Sequence, residues 1–192
     1  NLHATTLGLN AWMLTGEDRF RDWLLDYVEA WLARTKANGG IIPSNVGPDG
    51  VIGSAAGGRW WGGTYGWGFS PIVPQTGKRE DRNRVPRSIV AFMSAYLLSG
   101  DDRYLQVWRT QTDAINRHAR LIEGIVHAPT MYGRTPDGDT GWYGYKPGLY
   151  RANGLEIWYL SMRDSDLARA DADHPWIHYL QGRNPAYPEQ AL

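Results

Sequence analysis

The segment Asn10-Ala-Trp-Met-Leu-Thr-Gly-Glu-Asp18 recurs without gaps as Ser94-Ala-Tyr-Leu-Leu-Ser-Gly-Asp-Asp102 and again as Glu156-Ile-Trp-Tyr-Leu-Ser-Met-Arg-Asp164. Trp12, Tyr96 and Trp158 share one position, Leu14, Leu98 and Leu160 another, and Thr15, Ser99 and Ser161 a third. The first two copies continue with Arg19-Phe20 and Arg103-Tyr104, whereas the third lacks the glycine and the Arg-aromatic pair. The copies stand too far apart, and too unequally, for a solenoid array. They suit one structural unit repeated with variable insertions.

Each hydroxyl stands three residues before an acid, the pattern in which Ser or Thr caps the first free N–H groups of a helix. Each motif is therefore expected to start a helix. After the first, Phe20, Trp23, Leu24, Tyr27, Val28 and Trp31 fall on one stripe of period 3.6, with charged residues off it. The residues before the caps, Leu7 to Leu14 and Ile89 to Leu98, are apolar nearly all round and are expected to be covered on most sides. Gly16 and Gly100 then turn a buried inner helix into an amphipathic outer one. Three such hairpins in two layers predict an all-α fold, an incomplete alpha/alpha toroid of about three helical hairpins, with residues 1–192 as a single domain. Long connections, roughly Gly39 to Pro86 and Ile122 to Tyr150, are expected to gather at the end where the inner helices begin. Gly47-Pro-Asp-Gly50, between two aliphatic pairs, reads as the turn of a short β-hairpin.

The 192 residues carry 20 basic and 20 acidic side chains, so the chain has no global field for nucleic acid or an anionic membrane. Neither is an expected partner. Without cysteine there is no disulfide, thiolate nucleophile or cysteine-bound metal. The longest apolar run, Ile89 to Leu98, falls short of the roughly 18 residues of a membrane span. A start at Asn1, without an initiator Met, reads as a piece of a longer protein. Twelve of the 23 glycines lie between Gly39 and Gly77, together with Trp60, Trp61, Tyr65, Trp67 and Phe69. A flexible linker would be polar and poor in aromatics, so this stretch is expected to be ordered and irregular.

The repeated units Ala11 to Phe20 and Ala95 to Tyr104, with the Trp-rich connection between them, make the chain resemble the six-hairpin glycosidase-like group of alpha/alpha toroid proteins. The resemblance implies part of a larger toroid and a role in carbohydrate processing, since glycoside hydrolases, polysaccharide lyases and sugar epimerases share that scaffold. It brings no catalytic motif that matches residue by residue.

Indole faces pack on the apolar faces of sugar rings, which makes Trp60, Trp61 and Trp67 candidate substrate-binding residues, joined by Arg59, Trp142 and Tyr143. The same indoles also read as core under a long loop. Glycoside hydrolysis needs two carboxyl groups, and Asp139 and Asp49 are the candidates, although both also read as turn residues. A lyase needs a Tyr or His base and a cation on the substrate carboxylate, roles open to Tyr65, His3 and Arg59. The mainly basic run Lys78 to Arg87 could attract an acidic polysaccharide. His174-x-x-x-His178 lacks the companion acid of a zinc motif, so no metal and no cofactor is expected. Glycoside hydrolysis is the first reading. Lyase action on a uronate-containing glycan and glycan binding without catalysis are the alternatives.

Overall fold

The computed structural model describes residues 2–64, 66–83 and 85–190. The chain divides into two compact units, Asn1–Tyr150 and Arg151–Leu192. In the first, α1 (Thr5–Thr15) and α2 (Asp18–Ala37) form one helical hairpin, and α3 (Val85–Ser99) and α4 (Arg103–Asn116) form another. The second holds α5 (Gly154–Ser161), α6 (Asp164–Leu167), α7 (Pro175–Leu180) and α8 (Tyr187–Gln190).

The repeat works through its turn. Gly16 and Gly100 take left-handed φ angles of 69° and 70°. Their N–H groups bond back to the carbonyls of Trp12 and Tyr96 at 2.8 and 2.7 Å. Met162 does the same in the third copy, with φ 52° and a 2.7 Å bond to the Trp158 carbonyl. The repeated hydroxyls do not cap the following helices as expected. Thr15 and Ser99 each close the preceding helix by donating to the carbonyls of Ala11 and Ala95, and they accept from the N–H groups of Glu17 and Asp101. A hydroxyl so close to the bend meets the turn's own N–H first, leaving the next helix to begin beyond its reach.

A side chain in the left-handed region costs about 1 kcal/mol relative to glycine. Met162 is exposed and gives little packing in return. Met162→Gly is therefore expected to stabilise the second unit by about 1 kcal/mol, read as a higher urea midpoint.

Leu24 and Val28 of α2, Ile89 and Phe92 of α3, and Leu105, Trp108 and Ile115 of α4 form much of the core of the first unit. Helix α1 departs from the expectation of near-complete burial. It packs on α2, α3 and the 3-10 turn Leu2–Ala4, and Gly8 lets the Trp23 indole approach so closely that a Cβ there would lie 2.8 Å from the ring. Leu7, Met13 and Leu14 remain exposed on its other side.

The all-α toroid expectation is overturned by an antiparallel sheet of β1 (Arg120–Ile122), β2 (Ile125–Arg134) and β3 (Thr140–Pro147), in that order. The fold is mixed α/β. Pro129 and the glycines at 133, 141 and 144 interrupt the alternation that marks strands, so the segment reads as a loop. The register pairs Tyr132 with Trp142 and Met131 with Tyr143. Successive side chains point to opposite faces, which separates Trp142 from Tyr143. The expected turn at Gly47 to Gly50 does form, closed by one Val46–Ile52 bridge.

In the second unit Trp158, Ala170 and Ile177 form a small core. Gly154 allows the approach, since a Cβ there would meet the Ala170 Cα at 2.8 Å. Among the described residues no helix is long and apolar enough to cross a membrane.

Candidate functional site

The long connection between α2 and α3 folds against the sheet through aromatic rings. Trp60 stacks on Tyr132 with centroids 4.6 Å apart, and Trp61 meets the same ring edge-on at 6.3 Å. Trp67 is fully buried, edge-on to Trp142 at 5.4 Å and 6.4 Å from Tyr150. Trp142 in turn stacks on His118. Burial also pushes the Tyr150 hydroxyl above its ordinary pKa. Trp67 and Trp142 therefore spend their faces on protein, and the Arg59 guanidinium lies over Trp61, 5.3 Å from the ring centre.

The glycines between these indoles serve the same packing. A Cβ on Gly63 would fall 1.8 Å from the Ser44 carbonyl oxygen, and one on Gly66 would collide with the Ser44 Cβ. Ser44 itself donates its hydroxyl to the carbonyls of Trp60 and Trp67 and accepts from the Gly63 N–H. The glycines let backbone approach backbone.

The candidate acids Asp49 and Asp139 both belong to turns. Asp49 accepts from the Ser54 hydroxyl at 2.7 Å and the Val51 N–H at 3.0 Å. These bonds, the Ser54 hydroxyl first, hold its carboxyl below the usual range and make it a turn anchor. Asp139 sits exposed beside β3, and its carbonyl closes the β2–β3 turn by accepting from Thr135 N–H. Tyr143 is buried in a polar knot on the opposite sheet face. Its hydroxyl accepts from Arg79 at 3.1 Å and donates to Asp81 at 3.3 Å, while Ser70 donates to the same carboxylate at 2.5 Å. Arg79 also donates to the carbonyls of Arg134 and Thr135, so this knot ties the connection to the sheet. Tyr65 lies outside the described residues.

His3 belongs to a different place. An open cleft of about 670 Å³ is lined by Leu2, His3, Trp31, Ile42, Pro43, Ser44, Val46, Thr64, Gly66, Val85, Arg87 and Ser88. It lies where the chain enters α1 and α3. Arg87 stands in the first turn of α3, at the helix end whose dipole favours anions. Asn83 prepares that end by accepting from the Val85 N–H at 3.0 Å. Burial, then the Arg87 charge, hold the His3 imidazole below its ordinary value of 6.5, so it is neutral at pH 7. Among the described residues no Asp or Glu lines the cleft. No group of three or more His, Asp or Glu among them is placed to hold a metal. The cleft thus presents a neutral base, a cation and an indole, and its wall at Ser44 is buttressed by the aromatic packing behind it.

A family model described as a domain of unknown function, DUF8034, matches residues 1–173. The chain belongs to the DUF8034 family. No curated protein and no solved structure matches it. The DUF8034 match spans the cleft, the aromatic packing and the sheet.

Of the described residues expected at a site, only His3 lines this cleft, while Trp60, Trp61, Trp67, Arg59, Trp142 and Tyr143 pack elsewhere. Sequence reasoning reaches Arg87 only as one charge of a basic run suited to an acidic polysaccharide, and Trp31 only as core. Arg87 ends the basic run Lys78 to Arg87, and its place after Pro86 at a helix start was the available signal. Trp31 lay on the helical stripe of α2 and read as core.

Proposed function

We propose that this protein is a carbohydrate-active enzyme that takes an acidic sugar in the His3–Arg87 cleft and cleaves a uronate-containing glycan by elimination. The observation that carries the reading is the sharing of one cleft by a neutral imidazole and a guanidinium, without a lining carboxylate among the described residues. Hydrolysis would need two acids there. The sugar class is supported by the repeat's resemblance to the six-hairpin glycosidase-like group; the Trp31 indole lines the same cleft, with the Arg34 guanidinium over its ring at 5.8 Å from the centre.

In this reading Arg87 pairs with the substrate carboxylate and stabilises the charge that develops when the adjacent carbon loses its proton. Neutral His3 takes that proton. The carbon–oxygen bond at the β position then breaks, a carbon–carbon double bond forms, and the glycosidic oxygen leaves with the neighbouring sugar, gaining a proton from solvent.

Digestion of a uronate polymer and of its carboxyl-reduced counterpart tests the proposal. The uronate is expected to yield a product absorbing in the near ultraviolet and the reduced polymer none. New reducing ends without that absorbance would replace elimination by hydrolysis, and saturable binding without product would leave a glycan-binding protein.

Arg87→Gln is expected to raise KM for the uronate more than it lowers kcat. It also removes one cause of the lowered His3 pKa. Because the base must be neutral, activity falls as pH drops through the His3 pKa, and this acid limb lies below 6.5. In the variant the limb moves upward, a shift that a pH–rate profile reads directly. The same depression makes His3 a small source of acid sensitivity: its contribution to stability is present above pH 6.5 and is lost as pH falls through the lower folded-state value.

A further inference from the structure

The hairpin of β1 and β2 ends in a two-residue turn, Glu123-Gly124, with φ angles of 49° and 78°. Its arms carry Leu121, Ile122, Ile125 and Val126, exposed by 72%, 39%, 56% and 43%. Leu121 pairs with Val126 and Ile122 with Ile125, so aliphatic side chains crowd both faces of the ribbon. Edge strands ordinarily discourage association with charge or proline at such positions. Among the described residues no strand pairs with the outer edge of β1.

In a hairpin of this kind the residues flanking the turn exchange hydrogen bonds, so Ile122 points its N–H and C=O toward β2 and Leu121 points its own outward. We infer that a second copy of this chain pairs with the outer edge of β1, antiparallel, about a two-fold axis at Leu121.

Symmetry restricts the register, and the outward-pointing backbone of Leu121 selects among the registers it allows. A two-fold axis normal to the sheet keeps each side chain on its face, so Leu121 can meet itself but not Ile122. That pairing joins Val126 and Leu121 of one copy to Leu121 and Val126 of the other in one apolar row. It also sets each Glu123 opposite Ala119 of the second copy, within the Arg117-His-Ala-Arg120 stretch, where Arg120 lies over the Tyr145 ring and Arg117 is the other cation on offer at both ends of the short ladder. The charge pattern and the unpaired edge favour a second copy over a bilayer, because Glu123 at the leading tip would have to enter the lipid.

Two such ribbons bury less than the roughly 800 Å² per partner of a standard interface, so the dimer is weak. Sedimentation velocity is therefore run up to about 1 mM, where a concentration-dependent dimer is expected and Leu121→Lys abolishes it. The chain has no cysteine, so Leu121→Cys supplies a test of register: directly opposed residues in such a pair stand about 5.5 Å apart, within disulfide reach. Under mild oxidation it is expected to crosslink into dimers at least tenfold faster than Ile72→Cys, an exposed position elsewhere. The inference is overturned by a monomer at every concentration, by a dimer that survives Leu121→Lys, by equal crosslinking of the two cysteine variants, or by co-sedimentation with phosphatidylserine vesicles in place of self-association. None of these results depends on enzymatic activity.

Discussion

Replacing His3 by glutamine is expected to lower turnover of a uronate polymer by about 10²–10⁴-fold, the range for removing a general base. Glutamine keeps a polar side chain of similar reach but cannot accept the proton. Two bonds that shape the entry to α1 are made by other groups: the Thr5 hydroxyl donates to the Leu2 carbonyl at 2.7 Å, and Thr6 donates to the carbonyl of residue 3 at 2.9 Å. Neither bond involves the imidazole. Steady-state kinetics should show the loss in kcat with little change in KM, the opposite of Arg87→Gln, since one group acts on the reacting proton and the other on the bound carboxylate. Equal losses in both parameters for both variants would mean that the cleft merely shapes the fold.

Trp67→Ala is expected to destabilise the first unit by about 3–5 kcal/mol, the cost of emptying a buried aromatic site. The ring is wholly buried, and Trp142 and Tyr150 pack against it from β3 and the segment that follows. Its backbone adds a second anchor, since the carbonyl accepts from the Gly62 N–H and the Ser44 hydroxyl. Trp67→Phe should cost far less, because the indole Nε1 has no hydrogen-bond partner among the described residues and mainly ring size is lost. Urea unfolding separates the two variants. Because Ser44 belongs to the cleft wall, Trp67→Ala should also weaken substrate binding at temperatures where the protein remains folded.

The helical hairpins were legible because their signals are local. Gly16 and Gly100 sit four residues after Trp12 and Tyr96, and that spacing alone fixes the turn. The same locality explains Met162, which occupies the left-handed position without the glycine. The sheet was not legible, because Pro129 and the glycines of β2 and β3 break the alternation, and what holds those strands is packing against residues some seventy positions earlier. Trp60, Trp61 and Trp67 illustrate that dependence: as a sequence they look like a sugar platform, and only their contacts with Tyr132, Trp142 and Tyr150 show where their faces go. His3 was legible as a base at the start of a helix, but its cationic neighbour was assigned to Arg59, which instead covers Trp61. Arg87 reaches the cleft through the turn from the connection into α3, a geometry that spacing along the chain does not encode.

Cleavage of a uronate polymer in water enriched in heavy oxygen tests the elimination chemistry most directly. The His3–Arg87 account predicts products that carry no solvent oxygen at the new reducing end and an unsaturated sugar at the other, both lost in His3→Gln. A product with one solvent oxygen at the new reducing end and no unsaturation would contradict it.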